Sequence, residues 1–449
     1  MMSLVEAAAV TTGRTSGVDV RLSGVSTDSR AIGREELFVA LRGERFDGHE
    51  FVGAAAARGA AAALVDARYA GPCPLPCIVV PDTKQALGEL ARHWRARFSP
   101  LLVAVTGSNG KTTVKEMLAS ILRQHAGEQA VLATAGNLNN DIGVPLTLLR
   151  LRREHRWCVI ELGMNRPGEI AYLASLAAPT VALVNNAQRE HLEFMGSVDE
   201  VAAENASVYD ALPADGVAVV NADDGHADLF RAKSGKRRIV DFSLQAARVT
   251  GRYAMNELSS ELSVRTPQGE AQATLAIPGL HNVRNALAAA ACAHAAGVGL
   301  TAVAAGLSAF RPYTGRLQVK RASGGDLTVI DDSYNANPDS VRAAIDVLAT
   351  CPSPTALVLG DMGEVGTQGP AFHREIGEYA RAKGITRLLA LGAASRHAVE
   401  AFGEGAEHFA DVEALVPAVS GRTVLVKGSR FMKMERVVAA LTGGSQGGH

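Results

Sequence analysis

Continuous runs of apolar residues alternate with helical segments along most of the chain. Within the first 82 residues, the runs at 36–43, 61–66 and 77–82 have strand character, and the segment at 49–60 has helical character. These elements are short, and they include both strands and a helix. The pattern therefore predicts a small mixed α/β domain at 1–82.

The middle of the chain carries longer apolar runs, each followed by helical sequence. Strands are predicted at 101–107, 156–163 and 179–187, and an alanine-rich helix is predicted at 281–297. Strands that are apolar on both faces and alternate with helices are typical of a parallel, doubly wound sheet. A central domain built on a parallel sheet is therefore predicted at 83–312.

The last third of the chain repeats this alternation on a smaller scale. Four buried strands are predicted at 326–333, 354–361, 385–392 and 422–429, with helices between them. The pattern indicates a C-terminal Rossmann-like domain at 313–449. The predicted fold class is thus α/β with three domains.

The segment VTGSNGKTTVKEML at 105–118 resembles a phosphate-binding loop with a shortened spacing. A Walker loop places four residues between its first glycine and the Gly-Lys pair, whereas only two separate Gly107 from Gly110 and Lys111. Backbone N–H groups of such a loop hold phosphate oxygens, the lysine adds charge, and the Thr112 hydroxyl suits magnesium. The alternative is a plain glycine turn, but the strand before it and the helix after it favour the phosphate loop.

Other polar residues follow predicted strands at the end where open α/β sheets bind ligands. Glu161 ends one strand and can hold a metal, or it can be a capping or ion-paired glutamate. His191 follows the next strand and can equally be an ordinary surface histidine. Asp331 and Asp332 end a third strand, where a helix cap is the plain alternative. The amide-rich loop at 135–149 suits a polar substrate or simple turn chemistry.

Composition narrows the class of protein. The chain has 449 residues, 47% hydrophobic and 20% charged, and a net charge of -1, which gives no electrostatic reason to expect nucleic acid as a partner. The N-terminus lacks the pattern of a signal peptide, and no apolar stretch is long enough for a membrane span. The five cysteines are scattered, which favours reduced thiols and a cytoplasmic protein. The tail at 443–449 is predicted to be disordered.

Together these segments resemble the Mur ligase family, the ATP-dependent amide-forming enzymes of cell-wall precursor synthesis. The resemblance covers nearly the whole chain, and the short TGxxGKT loop is that family's form of the phosphate loop. Within the family, the chain is most similar to the member that adds a dipeptide, and part of the first domain also resembles the member that adds the third residue. The segments that carry the resemblance are STDSRAIGREELFVALRGERFDGHEF, GNLNNDIGVPLTLL, ELGMNRPGEI, GLHNVRNALAA, DDSYNANPDS and LGDMGEVG.

The resemblance implies an ATP-dependent ligase that joins D-alanyl-D-alanine to UDP-N-acetylmuramoyl-tripeptide through an acyl phosphate, releasing ADP and phosphate. It implies ATP and Mg²⁺ as cofactors, a role in peptidoglycan synthesis, and a monomer without nucleic-acid partners. Three alternatives stay open at this point. They are a family member that adds a single amino acid or extends folate, a P-loop regulatory or motor NTPase, and a UDP-sugar binding protein without turnover.

The resemblance also implies roles for individual residues. Lys111, Glu161 and His191 are the expected catalytic residues, and Thr112, Glu161 and His191 the expected magnesium ligands. The nucleotide is expected to contact residues of the loop and of later segments: Gly107, Ser108, Asn109, Gly110, Lys111, Thr112, Thr113, Asn282, Arg316 and Asp332. The expected substrate-binding residues are Thr27, Asp28, Ser29, Arg30, Asn137, Asn140 and Asn337.

One position departs from the family pattern. Many Mur ligases carry a lysine on the helix after the metal-binding histidine, and carbon dioxide converts it to a carbamate that helps to hold magnesium. Alignment on Tyr209 places Asn205 there, and no lysine occurs between Lys115 and Lys233. An amide lacks the carbamate's charge, so we expect weaker binding of a second magnesium ion, with His191 as its main protein ligand.

Overall fold

The computed structural model describes residues 1–44, 46–70, 72–323 and 325–444 and contains three sheets covered by helices. The three-domain α/β architecture is confirmed, while the boundaries near 82 and 312 stay predictions. The last five residues of the predicted disordered tail lie outside the described residues. Within the described ranges, no helix combines the length and the apolar character that crossing a membrane would need.

The N-terminal sheet has five strands in the order β1-β5-β4-β3-β2, and only β1 runs antiparallel to its neighbour. One face of the sheet packs on the first helix and on the helix that leads to the next sheet, and the other face packs on α2. The elements are α1 (Leu4–Val10), β1 (Arg14–Ser16), β2 (Gly24–Ser26), β3 (Glu36–Val39), α2 (Val52–Ala57), β4 (Ala62–Asp66), β5 (Cys77–Val80) and α3 (Thr83–Arg95).

The central sheet has nine strands in the order β14-β13-β12-β11-β10-β9-β6-β8-β7. Its elements are β6 (Leu101–Thr106), α4 (Lys111–Ala126), β7 (Val131–Ala133), α5 (Gly143–Leu148), β8 (Trp157–Glu161), α6 (Glu169–Ala177), β9 (Val181–Val184), α7 (Leu192–Met195), α8 (Val198–Ala206), β10 (Val217–Asn221), α9 (Ala227–Ser234), β11 (Arg238–Ser243), β12 (Val249–Met255), β13 (Ser260–Thr266), β14 (Gly269–Leu275), α10 (Leu280–Ala295) and α11 (Leu300–Ala309).

The predicted parallel sheet holds for the seven strands from β6 to β12. The two strands at 260–275 are a correction, because β13 pairs antiparallel with β12 and β14 pairs antiparallel with β13 at one edge of the sheet. Strand β6 lies between β8 and β9, so the order of the chain reverses beside it. Open α/β sheets bind ligands at such a switch point, beyond the carboxyl ends of the strands.

Alternation along β6 explains why both faces of the central sheet are covered. Val103 and Val105 point toward α4 and α10, whereas Leu102 and Ala104 point toward α3 and α6. All four are fully buried. Full burial of a valine or leucine side chain stabilises the folded state by about 1.5–3 kcal/mol. The packed faces hold the strand rigidly, so the loop at its carboxyl end has a fixed base.

The C-terminal sheet has six strands in the order β15-β16-β20-β17-β18-β19, parallel except for β15. The four predicted strands are confirmed as β16, β17, β18 and β20. The elements are β15 (Gln318–Arg321), β16 (Thr328–Asp332), α12 (Pro338–Ala349), β17 (Thr355–Gly360), α13 (Gly369–Ala382), β18 (Arg387–Leu391), α14 (Arg396–Phe402), β19 (Ala406–Phe409), α15 (Val412–Leu415), β20 (Thr423–Lys427) and α16 (Glu435–Thr442).

The cysteines differ from the prediction at one pair. Cys73 and Cys77 form a disulfide across the short proline-containing turn that precedes β5, because the turn brings the two side chains together. Cys158, Cys292 and Cys351 are free and buried. The expectation of reduced thiols is therefore wrong for the first pair and right for the other three.

Candidate active site

The shortened phosphate loop connects β6 to the start of α4. Gly107 and Gly110 have positive φ angles of 128° and 81°, which favour glycine. A Cβ atom at Gly110 would lie 2.3 Å from Asn285 Oδ1, and one at Gly107 would lie 2.9 Å from the Asn186 backbone nitrogen. Both glycines are therefore required by the close approach of neighbouring segments as well as by their backbone angles.

The segment that follows β9 holds this loop in place. Ser108 N–H donates to the Asn186 carbonyl at 3.0 Å, and Asn109 N–H donates to Asn186 Oδ1 at 2.8 Å. Gln188 N–H donates to Ser108 Oγ at 2.9 Å. A loop two residues shorter than the Walker form is thus fixed by the neighbouring strand, which leaves the first N–H groups of α4 facing the cavity.

Lys111 is the first residue of α4, and its side chain folds back over the loop. Its Nζ donates to the carbonyls of Gly107 at 2.6 Å and Ser108 at 3.0 Å, and lies 3.2 Å from Glu190 Oε2. The ammonium group is therefore held where a phosphate on the loop would meet it. Glu190 was not predicted from the sequence, because only the fold brings it to the lysine.

Glu161 lies at the end of β8, beside the start of α4, and is 1% exposed. Its Oε1 accepts hydrogen bonds from the Thr112 hydroxyl at 3.1 Å and from Asn139 Nδ2 at 2.8 Å. Its Oε2 is buried and has no hydrogen-bond partner. A buried carboxylate oxygen without a partner is costly, and a hard cation would satisfy it together with the threonine hydroxyl. The residues thus fit a magnesium ion.

His191 follows β9 and is the N-cap residue of the short helix α7. Its Nδ1 lies 2.6 Å from Glu364 Oε2 of the C-terminal domain, and its Nε2 lies 3.6 Å from Glu190 Oε1. The contact with His191 lowers the pKa of Glu364. Among the residues that the structure describes, no three His, Cys, Asp or Glu side chains are grouped as a metal site. A magnesium ion here would therefore need phosphate or water oxygens to complete its coordination.

Two cavities meet at the phosphate loop. The larger one, about 650 Å³, is lined by Lys111, Thr112, Glu161 and His191, together with the predicted substrate residues Asn137, Asn140 and Asn337. The smaller one, about 280 Å³, is lined by Thr113, Asn282, Arg284 and Asp332. Asn109, Gly110, Arg316, Ser340 and Lys427 line both cavities. The structure thus brings together the predicted residues of the central and C-terminal domains.

The smaller cavity has polar walls from two domains. Asn282 donates to the Pro278 carbonyl at 2.7 Å and accepts from Asn285 Nδ2 at 3.1 Å, so its amide is fixed. Burial lowers the pKa of the neighbouring His281 to about 4, which leaves this imidazole neutral near pH 7. From the other side, Lys427 Nζ donates to Asp332 Oδ2 at 2.6 Å. An amide and a neutral imidazole beside a buried ion pair suit a nucleoside.

Arg316 joins the two domains at the phosphate loop. Its Nη2 lies 3.5 Å from Thr112 Oγ1, and its guanidinium carbon lies 4.2 Å from the centre of the Tyr334 ring. Its Nε is buried without a hydrogen-bond partner, so the guanidinium retains unused donor capacity. Arg316 therefore lies beside the phosphate loop, in the wall that the two cavities share.

Two predicted substrate residues also have structural roles. Asn140 Oδ1 accepts from the backbone N–H groups of Ile142 and Gly143 at the start of α5. Asn337 caps α12 by accepting from Ser340 N–H at 2.8 Å. Both side chains line the larger cavity, so the capping and substrate-binding interpretations are compatible at each position.

The four predicted residues of the N-terminal domain lie apart from both cavities. Residues 27–30 form the loop after β2, where Arg30 pairs with Asp28 at 2.9 Å. This pairing lowers the pKa of the Asp28 carboxyl. None of these four residues lines either cavity, so any contact with a substrate here would involve a distant part of a long molecule.

Other residues of the site were missed by the sequence analysis. Asn139 was one of several amides in its loop, with no signal that separated it from Asn137 and Asn140. Arg189 connects the central domain to Asp339 and Glu375 through contacts of 2.6 and 2.7 Å. These pairs join residues that are far apart in the chain, so local sequence patterns do not predict them.

Comparison with known proteins agrees with this geometry. Residues 21–95 match the Mur ligase family catalytic domain, residues 105–293 the Mur ligase middle domain, and residues 315–430 the Mur ligase glutamate ligase domain. UDP-N-acetylmuramoyl-tripeptide--D-alanyl-D-alanine ligase of Escherichia coli is 44% identical over 439 residues, covering 96% of each chain. The enzyme of the same name from Bacillus subtilis is 33% identical and covers 94% of this chain and 93% of its own.

Solved structures give the same result. A crystal structure of MurF from Acinetobacter baumannii superposes with a TM-score of 0.90 at 34% identity and covers 98% of both chains. MurF from Thermotoga maritima in complex with ADP gives a TM-score of 0.81 at 26% identity, covering 94% of this chain and 97% of its own. The fold and the site define a nucleotide-dependent ligase with three domains. The chain belongs to the Mur ligase family.

Proposed function

We propose that the chain is an ATP-dependent ligase that joins D-alanyl-D-alanine to UDP-N-acetylmuramoyl-tripeptide and so forms the pentapeptide precursor of peptidoglycan. A terminal carboxylate oxygen of the tripeptide attacks the γ-phosphorus of ATP, which gives an acyl phosphate and ADP. The dipeptide amine then attacks the acyl carbon, loses a proton and expels phosphate. The two steps together form one amide bond for each ATP consumed.

The observation that carries the proposal is the meeting of two cavities at one phosphate loop. The smaller cavity has the size and the polar lining for a nucleoside, and the larger one holds Lys111, Thr112 and Glu161. A nucleotide whose base lies in the smaller cavity would direct its terminal phosphate into the larger one. The reacting carboxylate and amine therefore have one place to meet the phosphate.

The charged residues around the loop suit phosphoryl transfer. Lys111 would neutralise charge on the β- and γ-phosphates, and Arg316 would add a second cation from the C-terminal domain. Asn282 would contact the base, and Asp332, held by Lys427, would accept hydrogen bonds from the sugar hydroxyls. Because the C-terminal domain covers the loop, the acyl phosphate would be shielded from water.

Thr112 and Glu161 would hold the catalytic magnesium ion, and His191 would hold a second one. When bound, magnesium supplies positive charge that balances the phosphates of ATP. Glu161 is already oriented for this task, because Thr112 and Asn139 fix one carboxylate oxygen and leave the other unpaired. Glu364 would orient His191 from the opposite domain.

The remaining predicted residues would serve the long nucleotide-linked substrate. Residues 27–30 would contact the uridine end, while Asn137 and Asn140 would contact the peptide end in the larger cavity. Asn337 would lie near the incoming dipeptide. We also propose that the enzyme acts as a monomer, because the site described here lies within a single chain. We place it in the cytoplasm, where ATP and nucleotide-linked sugars are available.

The decisive experiment measures ADP release and product mass with purified protein, ATP, magnesium, UDP-N-acetylmuramoyl-tripeptide and D-alanyl-D-alanine. We expect ADP release to require both acceptor substrates and the product to have the mass of the pentapeptide. Turnover with one amino acid and the dipeptide precursor, or with glutamate and folate, would indicate a different ligase of the family. Hydrolysis without acceptors would indicate a motor NTPase, and binding without turnover a UDP-sugar binding protein.

A further inference from the structure

The side chain of Asn109, in the phosphate loop, is engaged by protein on all sides. Its Oδ1 accepts a hydrogen bond from Asn337 Nδ2 at 2.9 Å. Its Nδ2 donates to Gln188 Oε1 at 2.7 Å and lies 3.4 Å from Asn337 Oδ1. Asn109 and Asn337 thus form a reciprocal amide pair that links the central domain to the C-terminal domain.

The backbone of Asn109 is equally engaged. Its N–H donates to Asn186 Oδ1 at 2.8 Å, and its carbonyl accepts from Asn186 Nδ2 at 3.0 Å and from Asn185 Nδ2 at 2.7 Å. Every polar group of this loop residue therefore has a protein partner. Asn109 is thus better suited to transmit a change in the loop than to hold a phosphate oxygen directly.

Asn337 is engaged in turn with the helix that follows it. Its Oδ1 accepts from Ser340 N–H, and Ser340 Oγ accepts from Asn337 N–H at 3.0 Å, which forms a capping box at the start of α12. The first turn of α12 also carries Asp339, which pairs with Arg189 of the central domain. A displacement of Asn337 therefore moves the start of α12 and the loop that precedes it.

We propose that Asn109 is a positioning residue that couples the phosphate loop to the loop at 333–337 of the C-terminal domain, through its amide pair with Asn337. Nucleotide on the phosphate loop and closure of the loop at 333–337 over the dipeptide then favour each other. The inference rests on the proposed function, because it assigns the dipeptide to the cavity that this loop lines. Coupling between two binding events is reciprocal, so it is measurable as the change in nucleotide affinity that the dipeptide causes.

The test measures the dissociation constant of Mg-ADP by calorimetry on the full-length protein and its variants in the presence of saturating D-alanyl-D-alanine. A second series without the dipeptide separates the coupling from direct effects on the phosphate loop. Asn337→Ser retains a good helix cap but is too short to reach Asn109. Asn109→Leu retains the side-chain size and removes the amide. We expect each single variant to weaken ADP binding about fivefold, as the loss of a hydrogen-bonded pair predicts. The double variant should lose no more than the weaker-binding single variant, because both remove the same contact.

Asp411→Ser is the matched control, since Asp411 caps α15 of the same domain and lines neither cavity. It should bind ADP as the wild type does, and thermal unfolding of every variant will show whether the fold is retained. Wild-type ADP affinity in Asn337→Ser, or losses that add in the double variant, would overturn the coupling. The proposed function is tested separately, because wild-type protein that binds ADP but forms no pentapeptide would refute the ligase and leave the coupling measurable.

Discussion

Some side chains of this site bind other parts of the protein, and others carry charge that a bound phosphate can meet. Asn186 and Gln188 form hydrogen bonds with the phosphate loop, so their role is to fix the conformation of that loop. Lys111 also contacts the loop, but through a flexible side chain whose charge has only Glu190 as a nearby counterion among the described residues. The difference predicts which substitutions will disturb the fold and which will disturb chemistry alone.

Lys111→Ala should abolish ligation and leave the fold intact. The ammonium group serves the phosphates, and its loss should lower kcat by about 100-fold or more, as for other groups that stabilise transition-state charge. The measurement is steady-state ADP release together with thermal unfolding. Lys233→Ala, at an exposed lysine of α9, is the control and should keep full activity. Retained activity in Lys111→Ala would refute the assignment of the phosphate loop.

Glu161→Gln and His191→Ala should lower turnover and raise the magnesium concentration needed for half-maximal activity. The amide oxygen introduced by Glu161→Gln would still accept from Thr112 and Asn139, so the change tests the charge of the carboxylate rather than its packing. The measurement is a magnesium titration of ligation at saturating ATP. Normal titration curves for both variants would show that the proposed metal roles are wrong.

At the scale of elements, the predicted strands are continuous buried runs, but burial alone was not sufficient, because the fully buried strand β10 was not predicted. Strands β6, β8 and β9 are apolar runs, and each was predicted. The sequence did not reveal β1, whose three residues are all exposed, or β12, where only Val249 is buried. A helix cap was the alternative for the segment of Asp331 and Asp332, and the structure places the cap at Asn337. Pairs such as Glu190 with Lys111 were not predicted, because they depend on tertiary structure.

Helix α8 bears on the role of carbon dioxide. Asn205 is 1% exposed, accepts from the Thr106 hydroxyl at 2.7 Å and donates to the Val201 carbonyl at 2.9 Å. Its amide oxygen therefore already accepts a hydrogen bond at the end of β6, where the phosphate loop begins. The adjacent Glu204 accepts from the backbone of Gly168 and Ile170 at the start of α6, so it faces another element.

We therefore expect ligation to be indifferent to bicarbonate. The assay compares activity in carbon-dioxide-depleted buffer with and without added bicarbonate, at limiting magnesium, where a carbamate ligand would matter most. Asn205→Lys is an informative comparison, because it restores the residue that many family members carry. Clear activation of the wild type by bicarbonate would show that another lysine is carbamylated.

At the scale of the whole molecule, the C-terminal domain completes a site that the central domain begins. Arg189 pairs with Asp339 and Glu375, and His191 meets Glu364, so charged contacts surround the junction. The central sheet is covered by α4 and α10 on one face and by α3 and α6 on the other, and the buried cluster on the first face continues into the C-terminal domain through residues such as Ile330 and Val341. We expect the central part to fold without the C-terminal domain, because both faces of its sheet keep their helices.

A fragment that ends at residue 312 should test this separation. It should remain soluble and folded, because its two sheets retain their helices, but its ADP affinity should fall with the loss of Arg316, Asp332 and Asn337. Circular dichroism, thermal unfolding and calorimetry give the measurements. An unfolded fragment would contradict an independent central core, and unchanged ADP affinity would contradict a nucleotide site shared between domains.

The wall shared by the two cavities has a consequence for inhibitor chemistry. Both cavities are bordered by Asn109, Gly110, Arg316, Ser340 and Lys427. In the proposed reaction the phosphate chain of ATP crosses this wall, because the base lies in the smaller cavity and the γ-phosphate in the larger one. A compound that occupies both cavities therefore needs a narrow anionic linker at this wall, with an aromatic group in the smaller cavity and a peptide-like group in the larger one. Fragments that bind separately in each cavity should gain affinity when they are joined through such a linker, and bulky neutral linkers should cancel the gain.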